Sequence, residues 1–124
     1  YEPTPEGDLS LQTIAMPADT NPNGDIYAGW LMTQMDLAGA IKAQEIAKGA
    51  VTTVSAGSMV FLRPVHVGST ISCYAKIVEV GRSSIKVEVD VWLRMPTTRE
   101  FYKVTDGSFV FVAIDNKGST RPIS

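Results

Sequence analysis

One helix wrapped by a five-stranded antiparallel sheet, an α+β domain, is the fold class this sequence predicts. Three observations lead there. Only the stretch from about Ala28 to Lys48 reads as a good helix, and it is apolar over most of its girth. Everything after Gly49 reads as strand, in four long runs of apolar alternation. The connections at Gly81-Arg82-Ser83 and Pro96-Thr97-Thr98 are tight enough to imply antiparallel hairpins.

The elements follow in order. Residues 1–8, with Pro3 and Pro5, read as a disordered tail, so the domain is expected over 9–116 with a C-terminal tail over 117–124. Leu9, Leu11, Thr13 and Ala15 alternate with polar or mixed residues and predict a short first strand. Met16 to Asp25 is rich in turn formers (Pro17, Asn21, Pro22, Asn23, Gly24) and reads as one loop. The helix has strong helix formers, no internal proline and Gly49 as its expected C-cap. Leu31, Met35, Ala38 and Ile41 are expected on one face, and only Lys42, Gln44, Glu45 and Lys48 seek solvent. Such a helix should be surrounded by other structure, and its many small residues (Gly29, Ala38, Gly39, Ala40, Ala43) let neighbouring backbone come close. The strand runs are Val51 to Leu62, Thr70 to Val80, Ile85 to Leu93, and Tyr102 to Ile114. One helix hides one face of such a sheet. Tyr74, Val78, Val80 and Trp92 leave more apolar surface than it can cover, which predicts an oligomer.

Composition narrows the function classes. The 124 residues suit one domain, 44% hydrophobic and 19% charged, with net charge -2 and no run of Lys or Arg. No nucleic-acid partner is expected from such a balance, and no apolar stretch reaches the ~20 residues that span a bilayer, so no membrane partner is expected either. No basic and apolar leader is visible at the start, and the lone Cys73, in an alternating apolar run, reads as a buried thiol; a cytoplasmic protein is the expectation. With one Cys and one His, a metal site is not expected. His66 sits in the turn Pro64-Val65-His66-Val67-Gly68 beside no acid or nucleophile in the sequence and reads as structural or surface.

Asp36 stands out from the residues alone. Gly29, Met32, Gly39, Ala40 and Ala43 lie on its face of the helix, and a carboxylate among small and apolar neighbours is either capped locally or kept for chemistry. A low-dielectric setting would suit it to act as a general base. The helix start, Asn23-Gly24-Asp25-Ile26-Tyr27-Ala28-Gly29-Trp30, offers free backbone N–H groups and the positive end of the helix dipole to an oxyanion, though capping alone would also explain such a sequence.

The run Met16-Pro17-Ala18-Asp19-Thr20-Asn21-Pro22-Asn23-Gly24-Asp25-Ile26-Tyr27-Ala28-Gly29-Trp30-Leu31-Met32-Thr33-Gln34-Met35-Asp36 resembles the hotdog-fold acyl-CoA thioesterases of the bacterial YciA type, relatives of the cytosolic long-chain acyl-CoA hydrolases of animals. The resemblance continues through Phe61-Leu62-Arg63-Pro64, Val80-Gly81-Arg82-Ser83-Ser84-Ile85 and Phe109-Val110-Phe111-Val112-Ala113. It implies a hotdog fold, homodimers joined sheet edge to sheet edge, often a trimer of dimers, and hydrolysis of acyl-CoA to free acid and coenzyme A. Asp36 would be the general base or the nucleophile. Asn21 would face it from the partner subunit, and the N–H of Gly29 would polarise the thioester carbonyl. Many relatives carry His-Gly-Gly where this chain has Tyr27-Ala28-Gly29, and a histidine where it has Asp19. No cofactor is implied, coenzyme A being part of substrate and product. An acidic protein needs local cations to hold coenzyme A, and Arg82 with Ser83 and Ser84, then Arg63, are the candidates. A hotdog hydratase or dehydratase is the enzymatic alternative, one that would need an acid–histidine pair. A non-catalytic acyl-CoA-binding module is the other.

Overall fold

The structure, a computed structural model, describes residues 5–57 and 59–123. Seven elements follow in order: β1 (Asp8–Ile14), a one-turn 3₁₀ helix (Pro17–Asp19), α1 (Ala28–Ala47), β2 (Val51–Ala56), β3 (Thr70–Val80), β4 (Ser84–Arg94) and β5 (Phe101–Ala113). The five strands form one antiparallel sheet in the order β1-β3-β4-β5-β2. The meander β3-β4-β5 is its centre, and the two strands that flank α1 in sequence become its two edges. The predicted architecture is the observed one.

Period two sorts β4 between the faces. Ile85, Val87, Val89, Val91 and Leu93 are fully buried against α1, while Lys86, Glu88, Asp90, Trp92 and Arg94 belong to the outer face. From β5, Phe109, Phe111 and Ala113 join the core, and from the helix Leu31, Met35, Ala38, Gly39, Ala43 and Ala47. Small helix residues matter here for a measurable reason. A Cβ on Gly39 would stand 2.9 Å from two ring carbons of Phe111, so the ring packs on bare backbone.

Several expectations are corrected. Ile41 is exposed, as are Met32, Leu37 and Ile46: the sheet covers one side of the helix, and the opposite apolar side is open in the single chain. The run from Val51 does not continue as one strand to Leu62. A bulge between Thr53 and Ser55 and the end of β2 at Ala56 break the ladder, and among the described residues single bonds follow, such as Gly57 N–H to Ser108 O (2.7 Å) and Leu62 N–H to Val104 O (2.8 Å). The helix ends on Lys48 in the left-handed conformation (φ 56°), not on Gly49. Gly49 serves a different purpose. A Cβ there would lie 2.8 Å from Arg121 Nη2, the group that caps the helix by donating to Ala47 O (2.8 Å).

Both segments set apart as tails reach into the fold. Asp8 already pairs with Ala75 in β1 and meets Lys42 Nζ at 2.6 Å; residues 1–4 lie outside the described residues. At the other end Thr120 bridges Ile114, Arg121 Nε donates to Ile114 O (3.1 Å), and Ile123 N–H donates to Arg82 O (2.9 Å). The segment after 116 is thus a strap joining the helix C-terminus, the end of β5 and the β3–β4 turn. Cys73 is fully buried, as expected.

Candidate active site

Asp36 sits two turns into α1 and is half-buried. Its Oδ1 accepts a 2.6 Å hydrogen bond from Thr53 Oγ1 on the edge strand β2. The bulge immediately after Thr53 interrupts the ladder at this point of the edge. None of the ion pairs among the described residues involves Asp36, so its charge is oriented by a hydroxyl and not neutralised by a cation. Thr53 is the site residue that sequence reasoning missed. It is one of two adjacent threonines, and only the helix-to-strand pairing shows which one meets the carboxylate.

The helix start has the predicted open donors. Tyr27 is the N-cap without a side-chain cap bond, and its carbonyl accepts the N–H groups of Trp30 (3.1 Å) and Leu31 (3.3 Å). Among the described residues, the N–H groups of Ala28 and Gly29 have no acceptor outside the helix. Both residues are exposed, and a Cβ on Gly29 would meet nothing within 4 Å. The missing side chain therefore leaves room for something outside this chain.

Asn21 holds its own loop. Its Oδ1 accepts the N–H groups of Asn23 (2.9 Å) and Asp25 (3.0 Å), an Asx turn that leaves its side-chain NH₂ free among the described residues to donate outward. His66 is a surface residue with a structural contact, as expected, and the acid it meets comes from another loop: its Nδ1 lies 3.1 Å from Asp25 Oδ1, beside the bridge between those two residues. The pair ties the Asn21 loop to the segment before β3. It faces solvent, with the His66 side chain 53% exposed, so it is a surface clasp, unlike the enclosed acid–histidine pair a hydratase would need.

Helix geometry separates these groups. Gly29 lies on the face of Asp36 but about 10 Å away along the axis at 1.5 Å per residue. Asn21 belongs to the loop before the helix, and none of its hydrogen bonds among the described residues goes to Asp36. One carbonyl carbon cannot be in reach of Asp36 and also hold its oxygen on Gly29 N–H of the same chain. A single chain therefore keeps two sets of groups apart: a carboxylate with its threonine, and free backbone N–H donors at the helix start.

The coenzyme A candidates divide likewise. Val112 of β5 pairs with both Thr52 and Ser84, which puts Ser84 two strand spacings, about 10 Å, from the strand that carries Thr53. The turn Arg82-Ser83-Ser84 is thus at the Asp36 end of the sheet. Its backbone is held from outside, Ser83 O by Ala113 N–H (2.9 Å) and Arg82 O by the strap, while the Arg82 side chain is exposed. Arg63 is not beside them. It stacks over Tyr102 at 4.3 Å, and Tyr102 lies nine residues, about 30 Å, along β5 from Phe111, the partner of Thr53. A groove of about 890 Å³ is at that far end and includes Arg63, Trp92 and Tyr102. Among the described residues no group of three or more His, Cys, Asp or Glu is placed to hold a metal, and no helix is long and apolar enough to cross a membrane.

Comparison with known proteins identifies the relatives of this chain. Residues 23–98 match the family described as the thioesterase superfamily. The acyl-CoA thioester hydrolase YciA of Salmonella typhimurium is 50% identical over 123 residues, 97% of this chain and 92% of that protein. Among solved structures, HI0827, a hexameric broad-specificity acyl-coenzyme A thioesterase, superposes with a TM-score of 0.94 at 50% identity, over 98% of this chain and 84% of that one. The hexameric hotdog-fold thioesterase Cj0915 of Campylobacter jejuni superposes with a TM-score of 0.90 at 42% identity, over 95% and 91%.

Proposed function

The chain belongs to the thioesterase superfamily and has the hotdog fold, and from that premise we propose how it hydrolyses acyl-CoA to free acid and coenzyme A. Asp36 acts on the thioester, taking a proton from the attacking water or adding to the carbonyl itself to give an anhydride that water then opens. Thr53 holds the carboxylate in line. The N–H of Gly29, at the positive end of α1, receives the oxygen that becomes negative as the tetrahedral intermediate forms. The Asn21 amide steadies water or substrate. Arg82, Ser83 and Ser84 take the pantetheine arm or a phosphate of coenzyme A. No cofactor is needed, and a cytoplasmic setting suits both the substrate and the unpaired Cys73 thiol.

The observation that carries this reading is the separation of those two sets of groups. Asp36 and Thr53 of one protomer must meet Gly29 and Asn21 of another. The free edge of β2 supplies the means. It is exposed, and Val54, Val60 and Leu62 beside it are among the most exposed large apolar residues (55%, 70% and 61%). Two β2 edges paired about a twofold axis would continue the sheet, cover the open side of each helix and bring each helix start toward the partner's carboxylate. A hexamer built as a trimer of such dimers accords with the hexameric relatives. Binding without catalysis is disfavoured, because a binder gains nothing from an unneutralised carboxylate held beside a thioester.

Subunit mixing tests the shared site. Asn21→Ala and Asp36→Ala proteins are made separately, each expected to lose at least ~10²-fold in kcat, and are then mixed under conditions that exchange subunits. A mixed dimer collects both lesions in one site and leaves the other intact. Random pairing at equal amounts then restores about a quarter of all sites. No recovery despite proven exchange would refute the shared site, and near-normal turnover by folded Asp36→Ala would refute the carboxylate.

A further inference from the structure

Two consecutive carbonyls of the turn after β3 are held from outside the hairpin. Arg82 O accepts Ile123 N–H of the strap (2.9 Å), and Ser83 O accepts Ala113 N–H (2.9 Å). Ala113 O in turn accepts Arg121 N–H (3.0 Å), so strap, β5 and turn share one run of backbone bonds. Gly81 N–H donates to Ser84 O (2.8 Å), and a Cβ on Gly81 would stand 2.6 Å from the Ser84 hydroxyl oxygen, so the turn closes over bare backbone. A trans peptide sets its N–H opposite its carbonyl, so fixing Arg82 O on the strap turns Ser83 N–H away from it. That N–H has no acceptor among the described residues. The Arg82 side chain is exposed and forms no ion pair among them. The turn thus offers a guanidinium and a backbone donor whose directions depend on the strap.

The strap takes its own place from α1. Arg121 Nη2 donates to Ala47 O (2.8 Å) and Nε to Ile114 O (3.1 Å), so one planar group spans the end of the helix and the end of β5. Ile123 adds its side chain to the core. Pro122 stands between this anchor and the donor to Arg82 O. Its ring fixes its own φ near about −65° and confines Arg121 before it to extended backbone, so little freedom remains between the guanidinium and Ile123 N–H. We propose that Arg121 and Ile123 are positioning residues for substrate binding, a role that rests on the reading of Arg82, Ser83 and Ser84 as the coenzyme A contact. Through Pro122 they hold that turn in the shape that receives the phosphate or pantetheine arm. Both act through the turn and not on the thioester, so their effect falls on binding and spares the chemical step.

Steady-state kinetics with acyl-CoA and calorimetry with coenzyme A, on the assembled protein well below its melting temperature, test this. Arg121→Ala and Pro122→Gly should each raise KM and weaken coenzyme A binding about three- to tenfold, with kcat within about twofold of wild type. Pro122→Gly keeps every donor named here, so it reports on placement even where Arg121→Ala does not fold. Arg121→Lys, which keeps a cationic donor, should recover part of the affinity. Combined with Arg82→Ala, the strap variants should add less than they do alone, because they act through the same turn. Unchanged KM and coenzyme A affinity in Pro122→Gly and in folded Arg121→Ala, beside an impaired Arg82→Ala, would overturn the strap's role and leave the turn's. Normal affinity in Arg82→Ala itself would take the turn out of substrate binding, and the positioning role with it. A fall in kcat at unchanged KM would trace the damage to α1, which carries Asp36, and full additivity with Arg82→Ala would trace it away from the turn; either would overturn the proposal.

Discussion

Replacing Thr53 with valine removes one hydrogen bond and little else. The shape is retained, valine suits an edge strand, and the position is exposed, so stability should move by less than about 0.5 kcal/mol. What is lost is the 2.6 Å bond to Asp36. Hydrogen bonds to charged groups contribute about 1.5–3 kcal/mol, and the half-buried setting of Asp36 argues for the lower end. Expressed in the barrier, about 1.5 kcal/mol lowers kcat roughly tenfold. KM should barely change, because the hydroxyl orients the reacting carboxylate and touches no distant part of the substrate. Steady-state hydrolysis of a short acyl-CoA, followed by thiol release, measures both constants. Thr53→Ser keeps the hydroxyl and should recover most of the rate. Full kcat in the valine protein, or an equal loss in valine and serine proteins, would refute the idea that this bond aligns the carboxylate.

Other outcomes follow from the same geometry. Arg82→Ala should raise KM for acyl-CoA more than it lowers kcat, since a phosphate contact acts on ground and transition states alike; unchanged coenzyme A affinity by calorimetry would remove Arg82 from the site. Gly39→Ala should lower stability by about 1–2 kcal/mol in denaturant titration, because a clash at 2.9 Å with Phe111 outweighs the gain in helix propensity. Arg121→Ala should cost about 1–3 kcal/mol by removing the donor to Ala47 O and Ile114 O. Burial pushes the Cys73 thiol from its ordinary 9.0 up to about 12. A thiol that ionises more readily unfolded than folded supports the fold below pH 9 and loses that support as pH climbs toward 12. Stability should therefore fall across that alkaline window, less so in Cys73→Ala, and a thiol reagent at pH 8 should label only the unfolded chain.

The fold was legible because period is a local property. The alternation from Ile85 to Leu93 named the buried face of β4 residue by residue, and the turns at Gly81 and Pro96 dictated the meander. What escaped depended on distant partners. Ile41 carries an apolar side chain whatever it faces, and only the sheet's extent decides that it is exposed. Gly49 looked like a cap because Arg121, which needs its space, is far along the chain. Asp36 and the helix start could be named from the residues, and Asn21 through the resemblance, but which group stands beside the carboxylate could not be read. Thr53 was hidden by register, and the Asp25–His66 clasp by a bridge that joins two loops.

The strand order also says when the reaction centre comes into being. β3, β4 and β5 are neighbours in sequence and in space, so their hairpins close over short loops and can form early. β1 must find β3 across the whole helix, as Asp8 does with Ala75, and β2 must find β5 across the meander. Those closures carry the larger entropy and come later. Asp36 and Thr53 belong to α1 and β2, parts that dock onto the meander once it stands. The carboxylate and its threonine, 17 residues apart on α1 and β2, are locked against the sheet only when β2 closes on β5.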